Sequence, residues 1–428
     1  MNESFLSAIG GRRPQLKEKL LRAGGDLRYI PISILDSIIL PILIVYAYCL
    51  RFQPRTRGKT KILFGMMHNN RYVYVRDALK VLGYEAQVIP WMPPAHERGV
   101  IDYDWDIASR FPYLHSYSGH KNLLGRLLLV YGFFVWALYK FDVFIVPFKN
   151  RLLDRTSILS WFEFQLIHFA GKKVILNPYG GDITYEEFWE NSDDRALKIL
   201  LEAWQGDPLY SSLDSARTVR NTRYGERYAD AVIAALIEPD FLNRVDYTLH
   251  MCIPPKIDTP LLCKRDSKED QHCFTIVHAT NHAHYKGTSF VEKAVDTLKK
   301  EGRVCEFIVL KNTPNPEVLS QMQQADVVFD QLLCGSYGRL GLEAMALGKP
   351  VICYLREDLK DLYPIWKECP VIDATVDNIK EVLETLMDMP REKLRKIGQQ
   401  SRAYVEKYYS PKYVGTELDK IIQTVLRK

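Results

Sequence analysis

From Lys61 onward the chain alternates short runs rich in Val, Ile and Phe with longer stretches in which apolar residues recur every three or four positions. The short runs fit buried strands and the longer ones amphipathic helices, so their alternation predicts a parallel α/β architecture. KILFGM, EAQVIP, DVFIVPF, KVILN, AVIAA and LHMCI predict the strands of a first domain, and FTIVH, CEFIVL, DVVFD, PVICY and PVID repeat the pattern in a second. Residues 253–272, rich in proline and charge, read as an interdomain linker, and the second domain is expected over 253–400. After Met389 the pattern is helical, and residues 401–428 form C-terminal helices that could cross back to the first domain. Two doubly wound domains facing each other direct their strand C-termini into a shared cleft. The active site is expected there.

The first domain is expected over 60–252, and residues 1–59 stand apart. Residues 29–50, YIPISILDSIILPILIVYAYCL, are long enough to span a bilayer but contain Pro31, Asp36 and Pro41. Arg22 and Arg28 precede the run and Arg51, Arg55, Arg57, Lys59 and Lys61 follow it, so charge gives no orientation. A segment lying on a membrane surface is the expectation, with a buried helix and a true span as alternatives. A second apolar stretch, residues 123–141, reads as a helix on the first sheet whose aromatic content also suits a lipid-facing surface.

Composition narrows the partners. With 57 Lys and Arg against 52 Asp and Glu, the net charge of +5 suits anionic ligands or lipid, and no basic stripe or zinc motif marks a nucleic-acid surface. The eight cysteines occur singly, with no C-x-x-C and no clustering with histidine at metal-ligand spacing, as reduced core residues do in a cytosolic protein. No metal site is expected.

Candidate chemistry lies in GSYGRLGLEAMALGKPV, residues 335–351. This is the loop leaving the strand DVVFD and the helix that follows. Glycines at 335, 338 and 341 predict positive φ angles and close approach of a ligand to the backbone, which with the positive helix end suits a diphosphate. Ser336, Tyr337, Arg339 and Leu340 complete the loop. Glu343, expected in the first helical turn, could accept two hydrogen bonds from ribose hydroxyls; an ordinary capping glutamate is the alternative. In the first domain, NPYGGDITY places Tyr179, Gly180, Gly181 and Asp182 at a strand-to-helix turn, where Asp182 fits a helix cap better than a ligand contact. His68, Asn69 and Asn70 follow the first strand and face the cleft. They are acceptor-side candidates, and His68 and Asp182 are the candidates for a catalytic role.

The run from Gly335 to Val351 resembles the donor-binding signature of family 4 glycosyltransferases, whose GT-B fold consists of two facing Rossmann-like domains. The family carries a glutamate, seven residues, a second glutamate and then Ala-Met-Ala-x-Gly-x-Pro-Val. The second glutamate matches Glu343 and the run after it is matched throughout, whereas the first falls on Gly335. Upstream, residues 274–295 resemble the segment that carries Gly-Arg-Leu-x-x-x-Lys-Gly. Lys286 and Gly287 keep its end, and Asn281 stands where the arginine would be. The resemblance implies a nucleotide diphosphate-sugar donor on the second domain, an acceptor on the first, retention of anomeric configuration and no divalent metal or other cofactor. With the apolar N-terminal segment it implies a glycan or lipid-linked acceptor, a place on the cytoplasmic face of the membrane, and a role of the sort seen in bacterial surface polysaccharide or lipopolysaccharide synthesis. The missing glutamate and arginine leave open a non-catalytic GT-B subunit, and the fold leaves open a nucleotide-sugar epimerase or a phosphorylase.

Overall fold

The computed structural model describes residues 30–53, 58–66, 70–92, 101–111, 123–185, 187–190, 192–205, 215–254 and 273–428. The predicted linker lies largely outside them. Six parallel strands form the first sheet: β1 (Lys61–Phe64), β2 (Glu85–Val88), β3 (Val143–Val146), β4 (Lys173–Leu176), β5 (Ala231–Ala234) and β6 (Tyr247–Thr248), in spatial order β2-β1-β3-β4-β5-β6. The second sheet has five, β7 (Phe274–Ala279), β8 (Cys305–Leu310), β9 (Val327–Gln331), β10 (Val351–Cys353) and β11 (Ile372–Asp373), ordered β11-β10-β9-β7-β8. Both are covered by helices on both faces, which is why β3 and β5 are apolar and buried at every position.

Ten of the eleven predicted strands fall where the hydrophobic runs lie; the sixth does not. LHMCI is not itself a strand: the strand is Tyr247–Thr248 just before it, and only the Leu249 amide continues the pairing, donating to the Ala234 carbonyl at 3.1 Å. The run is apolar for another reason: Leu249, Met251 and Ile253 pack into the first domain's core while Cys252 packs into the second's. Its alternation serves two cores rather than two faces of a sheet.

The helices used below are α1 (Ile30–Arg51), α2 (Asn70–Val81), α3 (Leu123–Lys140), α4 (Glu163–Phe169), α5 (Arg195–Gln205), α6 (Ser215–Tyr228), α7 (Thr288–Lys300), α8 (Asn315–Gln324), α9 (Arg339–Ala346), α10 (Ile379–Met387), α11 (Arg391–Tyr408) and α12 (Pro411–Arg427). Helix α1 lies on the first domain against α3 and α4. Its Asp36, the residue least suited to a bilayer, is fully buried and organises the contact. One carboxylate oxygen accepts from the Tyr131 hydroxyl at 2.6 Å; the other accepts from the amides of Ser157, at 2.8 Å, and Ile158, at 2.7 Å. Ile32, Leu43, Ala47 and Leu50 join the first domain's core, whereas Ile34, Ile38, Ile42 and Val45 form an exposed apolar stripe on the opposite side. By length and composition the helix could cross a membrane, yet one face is committed to protein.

At the other end of the chain, α11 packs against α9 of the second domain and α12 against α2 of the first. The first contact is close, since a Cβ on Gly398 would sit 2.1 Å from the Gly348 carbonyl oxygen. In the second, Val414, Leu418, Ile422 and Val425 complete a core with Ile62, Val73 and Leu79.

Candidate functional site

The segment leaving β9 is shaped by two residues at the strand's end. Gln331 accepts from the Cys334 amide at 2.6 Å and donates to the Ser336 carbonyl, fixing the tight turn. Asp330 is wholly buried; its Oδ2 accepts from the Gly338 amide and its Oδ1 lies 3.7 Å from Lys286 Nζ. Burial lowers the Lys286 pKa and the facing carboxylate more than offsets this, so Lys286 is held above its ordinary value as a firm cation. Lys286 closes a single helical turn, Ala283–Lys286, and Gly287 follows in the left-handed region at φ 74°. Asn281 is exposed on the same side, its Oδ1 accepting from the Asn312 amide at 2.8 Å.

Of the three loop glycines only Gly335 takes a positive φ, 72°. Gly341 is required for space instead, whereas Gly338 has room for a Cβ. A Cβ on Gly341 would lie 2.7 Å from Asp330 Oδ2, and one on Gly338 would lie 3.4 Å from Lys286 Nζ. Tyr337 does not line the loop: it is fully buried, its hydroxyl 2.9 Å from that of Tyr404 and 2.6 Å from that of Tyr409. The tyrosine supports the loop from beneath. Helix α9 begins at Arg339, earlier than expected, so Glu343 stands in its second turn rather than at a capping position. Glu343 is buried, with Oε1 held by Arg339 Nε at 2.6 Å and Oε2 by Asn315 Nδ2 of α8 at 3.0 Å. Ser336 is buried and Leu340 partly exposed.

At the strand ends of the first domain, Arg71 opens α2 and is pinned by β4, its Nη2 donating to Asn177 Oδ1 at 3.0 Å and to the Pro178 carbonyl at 2.5 Å. Glu238, just beyond β5, is buried and accepts from the Ala235 amide at 2.7 Å. Burial pushes its carboxyl up to about 8, only partly offset by the Arg71 charge. His250, beyond β6, is driven down to about 3 by burial and by Arg71, so its imidazole is neutral at ordinary pH. Arg71 of one domain and Arg339 and Glu343 of the other all lie within electrostatic reach of Cys252 in the connecting strand-like segment. Arg71 and Arg339 thus approach the same segment from opposite domains.

The turn at 179–182 is not a helix start. Asp182 is wholly buried and accepts from the amides of Phe148 and Tyr179, both at 2.9 Å, tying the loop after β3 to the loop after β4. Burial pushes its carboxyl up to about 6. The residue acts as a staple between loops. Gly180 has φ 97°, Gly181 is partly exposed beside it, and the Tyr179 hydroxyl accepts from Asn150 Nδ2 at 3.2 Å. A cavity of about 180 Å³ opens nearby, lined by Met66, Trp91, Asn150, Arg151, Asp154 and Arg155 at the C-terminal ends of β1, β2 and β3. His68 and Asn69 lie outside the described residues, and Asn70 is known only as the first residue of α2.

Arg71, Glu238, Asp330 and Arg356 border the candidate site, and the sequence pattern did not single them out. For Arg71 a signal existed: a basic residue at a helix N-terminus opposes the helix dipole and calls for an anion. Arg356 explains the departure at Gly335. A Cβ there would stand 2.5 Å from Arg356 Cγ and Cδ, so this arginine fills the space a glutamate would need. Its guanidinium crosses the cleft to Asp240, with Nη1–Oδ2 at 2.5 Å and Nη2–Oδ1 at 3.2 Å. Tyr354 donates across the same boundary to Asp194 at 2.6 Å, and Arg195 pairs with Asp377.

This architecture is found in solved glycosyltransferase structures. HepE of Anabaena, crystallised with UDP and glucose, is 14% identical over 86% of this chain and 100% of its own, with a TM-score of 0.50. Sucrose-phosphate synthase of Thermosynechococcus elongatus is 12% identical over 86% and 100%, with a TM-score of 0.53. An O-GlcNAc transferase variant of Thermobaculum terrenum is 12% identical over 86% and 68%, with a TM-score of 0.51. No protein-family model and no curated protein matches the chain. The fold is the GT-B fold, two facing parallel-sheet α/β domains with an added apolar N-terminal helix.

Proposed function

We propose that the protein is a glycosyltransferase that moves a sugar from a nucleotide diphosphate-sugar to a glycan or lipid-linked acceptor. The observation that carries this reading is the glycine loop at the C-terminal end of β9 in a GT-B fold, with Lys286 held beside it 3.7 Å from Asp330 and Arg339 opening the following helix 2.6 Å from Glu343. Lys286, the first amides of α9 and the two arginines would take the diphosphate and offset its charge as it leaves, with no divalent ion required. Glu343, already preorganised by Asn315, would receive the ribose hydroxyls after release from Arg339. Sugar transfer with retention follows the motif resemblance. The cavity near Arg155 and Tyr179 would hold the acceptor, and the apolar stripe of α1 would rest on the cytoplasmic face of a membrane supplying a lipid-linked one. Bacterial surface polysaccharide or lipopolysaccharide assembly is the setting this implies.

The test is calorimetric titration of a panel of nucleoside diphosphates into wild type, Lys286→Ala and Glu343→Gln, followed by product analysis with the matching sugar donor. Lys286→Ala should weaken diphosphate binding about tenfold or more, the loss of one charge-assisted contact of about 1–3 kcal/mol. Glu343→Gln should erase most of the preference for a ribonucleotide over its 2′,3′-dideoxy analogue. Unchanged affinity in the first and unchanged preference in the second would remove both residues from the donor site.

A further inference from the structure

A second cavity, of about 220 Å³, lies where the chain crosses between domains, walled by Leu236 and Leu249 of the first domain, Tyr363 and Trp366 of the second, and Tyr409 and Tyr413 around the α11–α12 turn. Its remaining lining includes Thr248 and His250 and, among the described residues, no charged side chain. The rings are set firmly: Tyr363 stacks on Trp366 at 5.2 Å between centroids, and His250 meets Tyr409 edge to face at 5.6 Å.

Two polar atoms of this wall have no hydrogen-bond partner among the described residues. Tyr363 is 5% exposed, and its hydroxyl and His250 Nδ1 are buried without a hydrogen bond. Buried polar atoms in this condition are rare and costly, because each has given up water for nothing. Something that brings hydroxyl groups would satisfy both, since a phenol and a neutral imidazole can each donate or accept. An ion is poorly matched, because no opposite charge lines the wall to offset its desolvation. The volume falls below the roughly 300–1,000 Å³ of sites for drug-sized molecules, which suits one ring rather than a nucleotide-sugar. Aromatic walls offer flat apolar faces to the C–H side of a sugar while its hydroxyls reach the two orphan atoms.

We propose that this cavity is a saccharide-binding site taking one neutral sugar ring, separate from the donor loop. It rests on the glycosyltransferase reading only for the origin of the sugar, which would be a residue of the acceptor or product glycan. The site also adjoins the donor side: Tyr409 of its wall bonds directly to Tyr337 under the glycine loop. Occupancy therefore bears on the support of that loop.

Ligand-observed NMR and tryptophan fluorescence on the full chain test this, with methyl glucoside, methyl galactoside and methyl N-acetylglucosaminide as probes and glucuronate as an anionic control. The neutral glycosides should bind and glucuronate should bind more weakly. Tyr363→Phe should lower glycoside affinity about fivefold, the effect of one lost neutral hydrogen bond. Its melting temperature should stay level or rise, because the hydroxyl removed has no partner in the protein. Absence of binding by every neutral glycoside, or equal affinity in Tyr363→Phe, overturns the proposal. Nucleoside diphosphate titrated into the same samples separates the two readings: nucleotide binding without saccharide binding overturns only the cavity's role. Saccharide binding without nucleotide binding overturns only the transferase.

Discussion

Gly335 and Glu238 show how much a single side chain decides here. Placing a glutamate at this position with Gly335→Glu would drive a Cβ into Arg356 at a left-handed backbone position, so the variant should lose about 2 kcal/mol or more and gain no activity. A melting curve and a donor-hydrolysis assay check this; a stable, more active variant would mean that Arg356 simply moves aside. Glu238 carries a pH signature. Its carboxyl titrates near 8 in the folded protein against 4.5 as the ordinary value, so the native state keeps a proton that the unfolded chain releases between those limits. Its contribution is whole below about pH 4.5 and is lost as pH rises toward 8. Glu238→Gln copies the neutral acid, and its melting temperature should fall less steeply than wild type between pH 5 and 8. Parallel curves for the two proteins would show that Glu238 is ionised throughout.

At the level of elements, the strands were legible because parallel strands buried on both faces are written as unbroken apolar runs, and AVIAA or DVFIVPF can be little else. LHMCI misled because apolar alternation also arises in a segment shared between two cores. Half of the candidate site was legible for a similar reason: glycines and a lysine leave a local pattern. Glu238 and Arg356 leave none, and Arg71 leaves only a positive charge at a helix start, since each acquires its meaning from a partner more than a hundred residues away or from the other sheet. Helix α1 lay between these cases. Asp36 argued against a free span, but only the fold reveals that it caps the turn at 157–159. Removing the helix would uncover Leu43, Ala47 and Leu50 contacts, so a deletion confuses anchoring with stability. Ile38→Glu with Val45→Glu is cleaner, as those side chains are 60% and 64% exposed. The double variant should keep its melting temperature and lose binding to anionic vesicles in a flotation assay; undiminished flotation would exclude this stripe as the membrane contact.

Across the whole molecule, the domains are joined by a buried bidentate ion pair at Arg356 and Asp240 and by one continuous pair of helices, α11 on α9 and α12 on α2. Removing one partner of such a pair strands the other, so Arg356→Ala should cost about 3–5 kcal/mol, and Arg356→Met with Asp240→Leu should recover most of it. Small-angle scattering without nucleotide should find the single variant expanded; an unchanged radius of gyration would show that the remaining contacts hold the domains together alone. The helix pair has its own consequence during synthesis on the ribosome. The first domain's strands are all made by residue 254, but the helix that seals Ile62, Val73 and Leu79 begins only at Pro411. At about 5–20 residues per second the nascent first domain waits roughly 8–30 s with that apolar face open to water. A chaperone would therefore meet the first domain, made earliest, as the last part of the protein to be finished.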